Sequence, residues 1–231
     1  MTSTLAIVDP AYSSWSLRGW LLYRRFGLPV TVETAHLGTP GLAAIFDRFA
    51  PARTVPALRI DGGRDPVLIW DSLAIAETLA ERYPDIAFWP SDPAARGLAR
   101  SLAAEMHAGF RALRDACPMN VRRAYLGFEP PEPVLADLAR IEALWAAARA
   151  LRSGGQWLFG DYTIADAFFA PVATRVATYG LAVGTEASAY VAAHLADPAF
   201  VEWRALGLAD PVVQAHYELD LPERPWPGPA A

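Results

Sequence analysis

Ser13, Ser14 and Ser16 lie where a strand-like run over residues 5–8 gives way, through Tyr12, to an apolar helical stretch from Trp20 to Phe26. The first turn of a helix leaves backbone N–H groups without partners and carries partial positive charge. Hydroxyls placed there favour an anion, a thiolate included. Plain capping explains such serines equally well, and is the usual role of Ser before an apolar periodic run. The chemistry open to Ser13 or Ser14 is modest in scale: a free thiol has a pKa of about 8.5, and lowering it by about two units takes roughly 2.7 kcal/mol. One hydroxyl donor at a helix start can supply this, since a hydrogen bond to a charged group contributes about 1.5–3 kcal/mol.

Two further stretches offer polar main-chain groups. At Thr54-Val55-Pro56-Ala57 a proline precedes a strand. It is either the first residue of that strand, where Pro is tolerated, or a cis-proline that turns the Val55 backbone outward to pair with a peptide. At Trp70-Asp71-Ser72 a strand passes into a helix. Asp71 and Ser72 are ordinary caps there, but the free N–H groups and the Ser72 hydroxyl also suit a ligand carboxylate, with Asp71 accepting from an α-amino group. A thiolate donor, a pairing edge and an amino-acid-end pocket are the parts needed to hold an extended γ-glutamyl tripeptide.

These residues need a scaffold, and the patterning supplies two different ones. Strands are expected over 5–8, 30–34, 57–60 and 67–69, and helices over 16–26, 41–49 and 72–82. This β-α-β-α-β-β-α order predicts a small mixed sheet with helices on both faces, its last two strands joined through Asp61-Gly62-Gly63 as an antiparallel hairpin. The prolines of residues 84–93 mark a linker. Beyond it the pattern is helical over 94–116, 133–151, 164–179, 188–195 and 198–206, with an apolar stripe of the kind Leu135-Leu138-Ile141-Leu144-Trp145. The fold class is therefore α/β plus all-α: residues 1–83, a linker at 84–93, an all-helical domain over 94–219 and a Pro-rich tail over 220–231. That tail cannot continue a helix, and is either a loose end or a strap anchored by Trp226.

Composition narrows the function classes. With 53% hydrophobic residues the chain can bury a sizeable core, and a net charge of −5 argues against a nucleic-acid partner. Arg24-Arg25 and Arg122-Arg123 read as solvated faces. One cysteine, Cys117, permits no intrachain disulfide and no Cys-x-x-Cys pair, which fits a reducing cytoplasm. No signal-like leader and no membrane-length apolar run is apparent, so a soluble cytoplasmic protein without membrane partners is expected. The four histidines, at 36, 107, 194 and 216, show no metal-ligand spacing.

The combination Ser13-Ser14-Trp15-Ser16-Leu17-Arg18, Val55-Pro56, Asp71-Ser72, a Pro-containing linker and Gly160-Asp161-Tyr162-Thr163-Ile164-Ala165-Asp166 resembles the cytosolic glutathione S-transferases. The serine cluster is similar to the zeta class and related bacterial enzymes, which include maleylacetoacetate isomerases. The resemblance implies a thioredoxin-like first domain, a cis Pro56, and Val55 pairing with the cysteinyl backbone of glutathione. It implies that Asp71 and Ser72 hold the γ-glutamyl end, that Ser13, or Ser14 beside it, contacts the thiol, and that Ser16 caps the helix or faces the sheet. Arg53 and His36 are candidates for the glycyl carboxylate. His107, Phe110, Arg111 and Arg114, at helical spacing, are expected to share one face that lines the acceptor pocket, or else is solvated or packs between domains. A homodimer is the family's usual assembly.

The expected function is a glutathione transferase acting on a small electrophile, with glutathione as co-substrate and no metal. The alternatives are a glutathione-dependent cis-trans isomerase of the maleylacetoacetate type and a non-catalytic interaction protein on the same fold. No cysteine precedes residue 117, so thiol-disulfide exchange at the serine site is disfavoured. Thr163-Ile164-Ala165-Asp166 has capping-box form, and its role is structural.

Overall fold

The structure, a computed structural model, describes residues 2–152 and 154–230. Among these residues one sheet forms, in the order β2-β1-β3-β4: β1 (Thr2–Val8) pairs parallel with β2 (Thr31–Ala35) and antiparallel with β3 (Ala57–Asp61), which pairs antiparallel with β4 (Val67–Ile69). Alternation along β1 explains its position between two layers. Leu5 and Ile7 enter the main core with α1 (Ser14–Arg24) and α3 (Ser72–Arg82), while Ala6 and Val8 face α2 (Pro40–Arg48) with Leu42, Ile45 and Phe49. The hairpin between β3 and β4 turns at Gly62, whose φ of +122° is open to glycine.

After Arg82 the chain is helical: α4 (Pro93–Ala108), α5 (Arg111–Ala116), α6 (Glu132–Arg149), α7 (Ile164–Tyr179), α8 (Thr185–Leu195) and α9 (Pro198–Ala209). The single helix expected over 94–116 is a correction: it is two helices. Gly109 leaves α4 in an extended conformation so tight that a Cβ would stand 2.8 Å from the Glu105 carbonyl oxygen. Phe110 then takes φ +60°, which drives its ring into the core. The break is closed by Arg114, which donates to the carbonyls of Gly109 (2.9 Å), His107 (3.2 Å) and Met106, oxygens that the end of a helix leaves unpaired. Helix α8 also begins earlier than its predicted start at 188.

Helix α7 is buried along its whole length and is the axis on which α1, α4 and α8 pack. Beside it, His194 is 1% exposed and ringed by Trp157, Tyr162 and Tyr190. Burial, with Arg25 and Arg149 nearby, pushes its pKa down to about 3. An unfolded His titrates near 6.5, so between that pH and about 3 the unfolded chain binds a proton that the native one refuses. Stability therefore falls as pH drops through this window, by up to about 1.4 kcal/mol per pH unit. A His194→Phe variant should show a flatter acid limb when melting temperature is followed against pH; parallel limbs would refute the assignment.

The proline-rich tail is a strap. Leu126 N–H donates to the Pro222 carbonyl at 2.7 Å, Arg224 N–H to Ala124 at 2.8 Å, and Trp226 lies under the Arg204 guanidinium at 4.6 Å.

Candidate active site

The turn from β1 into α1 is built on Asp9, whose carbonyl accepts from Tyr12 N–H at 2.8 Å and Ser13 N–H at 2.9 Å. Its carboxylate is buried and accepts from Leu37 N–H at 2.9 Å and Gln214 Nε2 at 3.1 Å. Ser13 is the N-cap of α1: its Oγ accepts from Ser16 N–H at 3.2 Å and lies 2.8 Å from Ser16 Oγ. Ser16 Oγ in turn accepts from Val8 N–H at 3.0 Å, so this serine ties helix to strand. Ser14, the first residue of the helix, is buried, and its hydroxyl makes no hydrogen bond among the described residues.

Ser13, Ser14 and Val55 open onto one cavity of about 350 Å³, closed on the far side by Arg114, Met119, Arg175 and Tyr217. The first group comes from the sheet unit and the second from the helical region and the segment that follows α9, so the cavity spans the junction. Val55 reaches it through a cis Val55–Pro56 peptide. Pro56 rests against α1 at Gly19, where an added Cβ would lie 2.7 Å from the proline ring.

The electrostatics are cationic. The Trp15 ring meets two guanidinium groups, that of Arg18 at 4.6 Å and that of Arg114 at 4.8 Å from its centroid. Arg18 is wholly buried and its nitrogens have no hydrogen-bond partner among the described residues; the rings of Trp15 and Phe168 stand in for one. Burial, then the nearby Arg114 and Arg175, pushes its pKa well below the ordinary value, while Asp71 opposes the shift. Arg175 donates from Nε to the Cys117 carbonyl at 2.8 Å and from Nη1 to Pro171 at 3.2 Å. Its pKa is lowered to about 10 by burial and by Arg114. Arg114 and Arg175 line the cavity with Arg18 behind Trp15, against the single carboxylate of Asp115 in the lining, so the balance favours an anion there.

Asp71 caps α3 by accepting from Leu73 N–H at 3.0 Å, and its other oxygen lies 3.1 Å from His107 Nε2. Ser72 is fully buried with no partner for its hydroxyl among the described residues, and His107 Nδ1 is likewise unpaired. His107 meets the edge of Trp15 with ring centroids 5.2 Å apart, which links the Asp71 corner to the serine cavity. Burial pulls the His107 pKa down against the opposing charge of Asp71.

Not every expected residue converges. The helix break destroys the common face of His107, Phe110, Arg111 and Arg114. Only Arg114 lines the cavity; Phe110 is in the core, and Arg111 is solvated beside Asp115. His36 is bound up with Asp9, Nδ1 to Oδ1 at 3.0 Å, and opens onto a different cavity with Asp210 and Pro211. Arg53 is exposed and borders a third, with Phe46 and Pro51. Cys117 is buried, its thiol pushed up to about 12, which removes it as a nucleophile near neutral pH. Among the described residues no group of three or more His, Cys, Asp and Glu is placed to hold a metal ion, and no helix is long and apolar enough to cross a membrane. Sequence reasoning missed Arg175 and Tyr217 in the cavity wall; neither sits in a motif.

Residues 12–82, the stretch that carries the serine turn, Val55-Pro56 and Asp71-Ser72, match the glutathione S-transferase N-terminal domain family. A glutathione transferase homologue from Burkholderia, solved with bound glutathione, extends the likeness through the helices: it is 26% identical, with a TM-score of 0.63 over 90% of this chain and 98% of that one. Residues 12–82 therefore belong to the glutathione S-transferase N-terminal domain family. The chain is also similar to a maleylacetoacetate isomerase from Anaeromyxobacter dehalogenans, solved with glutathione in its active site, at 25% identity and a TM-score of 0.63 over 90% of this chain and 97% of that one. It is also 33% identical over 135 residues to the maleylacetoacetate isomerase of Pseudomonas aeruginosa. That alignment spans 58% of this chain and 61% of the relative, less than two thirds of its length. These likenesses match the layout, a thioredoxin-like sheet unit carrying the serine turn and a helical region closing the cavity over it.

Proposed function

We propose that the protein is a glutathione transferase which holds the glutathione thiolate at Ser13, with Ser14 beside it, for attack on a small electrophile. The observation that carries this reading is the single cavity in which Ser13, Ser14 and Val55 face Arg114 and Arg175. The division of labour follows: residues 1–83 bind glutathione, the segment 84–93 links, residues 94–219 form the acceptor side, and the tail of 220–231 straps the body. Val55 pairs through its main chain with the cysteinyl unit, with Pro56 behind it. Asp71 takes the γ-glutamyl ammonium, and the unpaired Ser72 hydroxyl with the start of α3 takes its carboxylate. Arg53, exposed near Val55, is the cation left for the glycyl carboxylate, since His36 is already engaged by Asp9.

The isomerase reading is favoured by one feature of this cavity, the two guanidinium groups of Arg114 and Arg175 at the acceptor end. They suit an acceptor that carries a carboxylate, to which thiolate would add, allow bond rotation and leave again. A cytoplasmic homodimer completes the proposal; Val67 and Trp70, exposed at the edge strand, offer apolar surface for a second copy.

Calorimetric titration with glutathione tests the common ground, and absence of binding at millimolar ligand would end it. Turnover separates the readings: maleylacetone isomerised with no conjugation of chlorodinitrobenzene selects the isomerase, the converse the transferase. A third measurement probes the Val55 corner. Gly19→Ala should improve helix propensity yet push Pro56 aside, so glutathione affinity falls by about tenfold while the melting temperature changes little. Unchanged affinity would mean that the corner does not touch the tripeptide.

A further inference from the structure

The segment after α9 crosses back over the serine turn and is held there at both ends. Before it, Gln214 Nε2 donates to the buried Asp9 carboxylate at 3.1 Å. After it, Glu218 accepts from Tyr12 Oη at 2.6 Å and from Asn120 Nδ2 at 3.2 Å, and pairs with Arg123. Between these anchors a single 3-10 turn, Ala215–Tyr217, sets the Tyr217 ring on that of Tyr12, centroids 5.3 Å apart and planes 27° from parallel. Tyr217 is thereby fixed as a wall of the cavity that holds Ser13, Ser14 and Arg175. Its own hydroxyl has no hydrogen-bond partner among the described residues, so ring stacking, packing against the core and the two anchors set its position.

We infer that Tyr217 is a specificity-determining residue: the segment after α9 delivers its ring as the limit on the bulk of the electrophile, and of the S-substituent of the conjugate, that the cavity admits. The inference deepens the glutathione reading and rests on it. A wall contributed by the segment after α9, whose contacts with the serine turn are the Gln214–Asp9 and Tyr12–Glu218 hydrogen bonds and one ring stack, sets acceptor size without touching the groups that hold the tripeptide. Ring removal then changes selection between large and small substituents and leaves the tripeptide site alone.

The test is binding of two conjugates, S-methylglutathione and S-(4-nitrobenzyl)glutathione, measured by calorimetry on the full chain and needing no turnover. In Tyr217→Ala the larger conjugate should gain on the smaller by at least about fivefold in the ratio of their Kd values, and in Tyr217→Trp it should lose by a similar factor. Tyr217→Phe should leave the ratio where it was, because the ring sets the limit. Glu218→Gln, which weakens the anchor and keeps the ring, should move the ratio in the direction of Tyr217→Ala, a shift that a merely structural tail would not produce. A ratio that stays fixed in the Ala and Trp variants, or moves the opposite way, overturns the inference while S-methylglutathione binding keeps the glutathione reading intact. A native protein that binds neither conjugate overturns both.

Discussion

Replacing Ser13 and Ser14 together by Ala raises the pKa of bound glutathione by at least about one unit and slows conjugation below neutral pH by roughly tenfold to a hundredfold. The direction follows from what stabilises a thiolate: one O–H donor and the unpaired N–H groups of α1, of which the mutations remove the first. Ser13 carries the larger share. Its oxygen already accepts from Ser16 N–H, and the two hydroxyl oxygens are 2.8 Å apart. On the proposed reading, the Ser13 hydrogen turns to the arriving sulfur and the Ser16 hydrogen takes the vacated place, so no hydrogen bond is lost in the exchange. Val8 N–H, donating to Ser16 Oγ, polarises this chain from behind. The single variants are separable: Ser13→Ala also loses the N-cap, costing about 0.5–2 kcal/mol of stability, whereas Ser14→Ala does not. Ultraviolet absorbance of bound thiolate against pH reads the effect directly, and an unmoved titration in the double variant would discard the serine as its source.

The parts of this molecule legible in its sequence are those fixed by near neighbours. Leu5 and Ile7 against Ala6 and Val8 announce a strand between two layers, and Asp61-Gly62-Gly63 announces the hairpin that follows. The serine turn and Asp71-Ser72 declared themselves because helix starts demand such residues. The break at Gly109 was hidden, since the alanine-rich periodicity of α4 runs through it and a lone Gly within a helical pattern is a weak stop signal. What closes it is Arg114, a side chain reaching back from the next helix. The engagement of His36 was hidden for a related reason: its partner, Asp9, is 27 positions away and buried. The segment after α9 lay further still beyond reach. Glu218 meets Tyr12 across 206 positions, and no local pattern encodes such a pairing. Site residues on motifs can be read from the chain, whereas those that close a cavity from another element become visible only when the elements are assembled.

Asp166→Ala, with no expected contact to glutathione, should cost more stability than Ser13→Ala or the loss of any other helix cap among the described residues. The carboxylate is fully buried and accepts from four donors: Leu158 N–H at 3.1 Å, Thr163 N–H at 2.8 Å, the Thr163 hydroxyl at 3.0 Å and the Tyr190 hydroxyl at 2.8 Å. It thus closes the start of α7, fixes the preceding loop and ties α8 to both, at the centre of the helical region. Burial pushes its pKa up, and these hydrogen bonds oppose the shift. Ala leaves all four donors in a dry interior, each costing about 1–3 kcal/mol when unsatisfied, less whatever water enters the gap. A net loss of about 4 kcal/mol is a large part of the 5–15 kcal/mol that holds a typical domain. At this chain length that lowers the melting temperature by about 8–16 °C. Asn should fall between, because its oxygen can still serve Leu158 and Tyr190 while its amide N–H₂ faces the Thr163 donors. Thermal unfolding gives the magnitude, and amide hydrogen exchange at Leu158 and Thr163 locates it. A melting shift under about 4 °C for the Ala variant would show that the network is not what fixes α7.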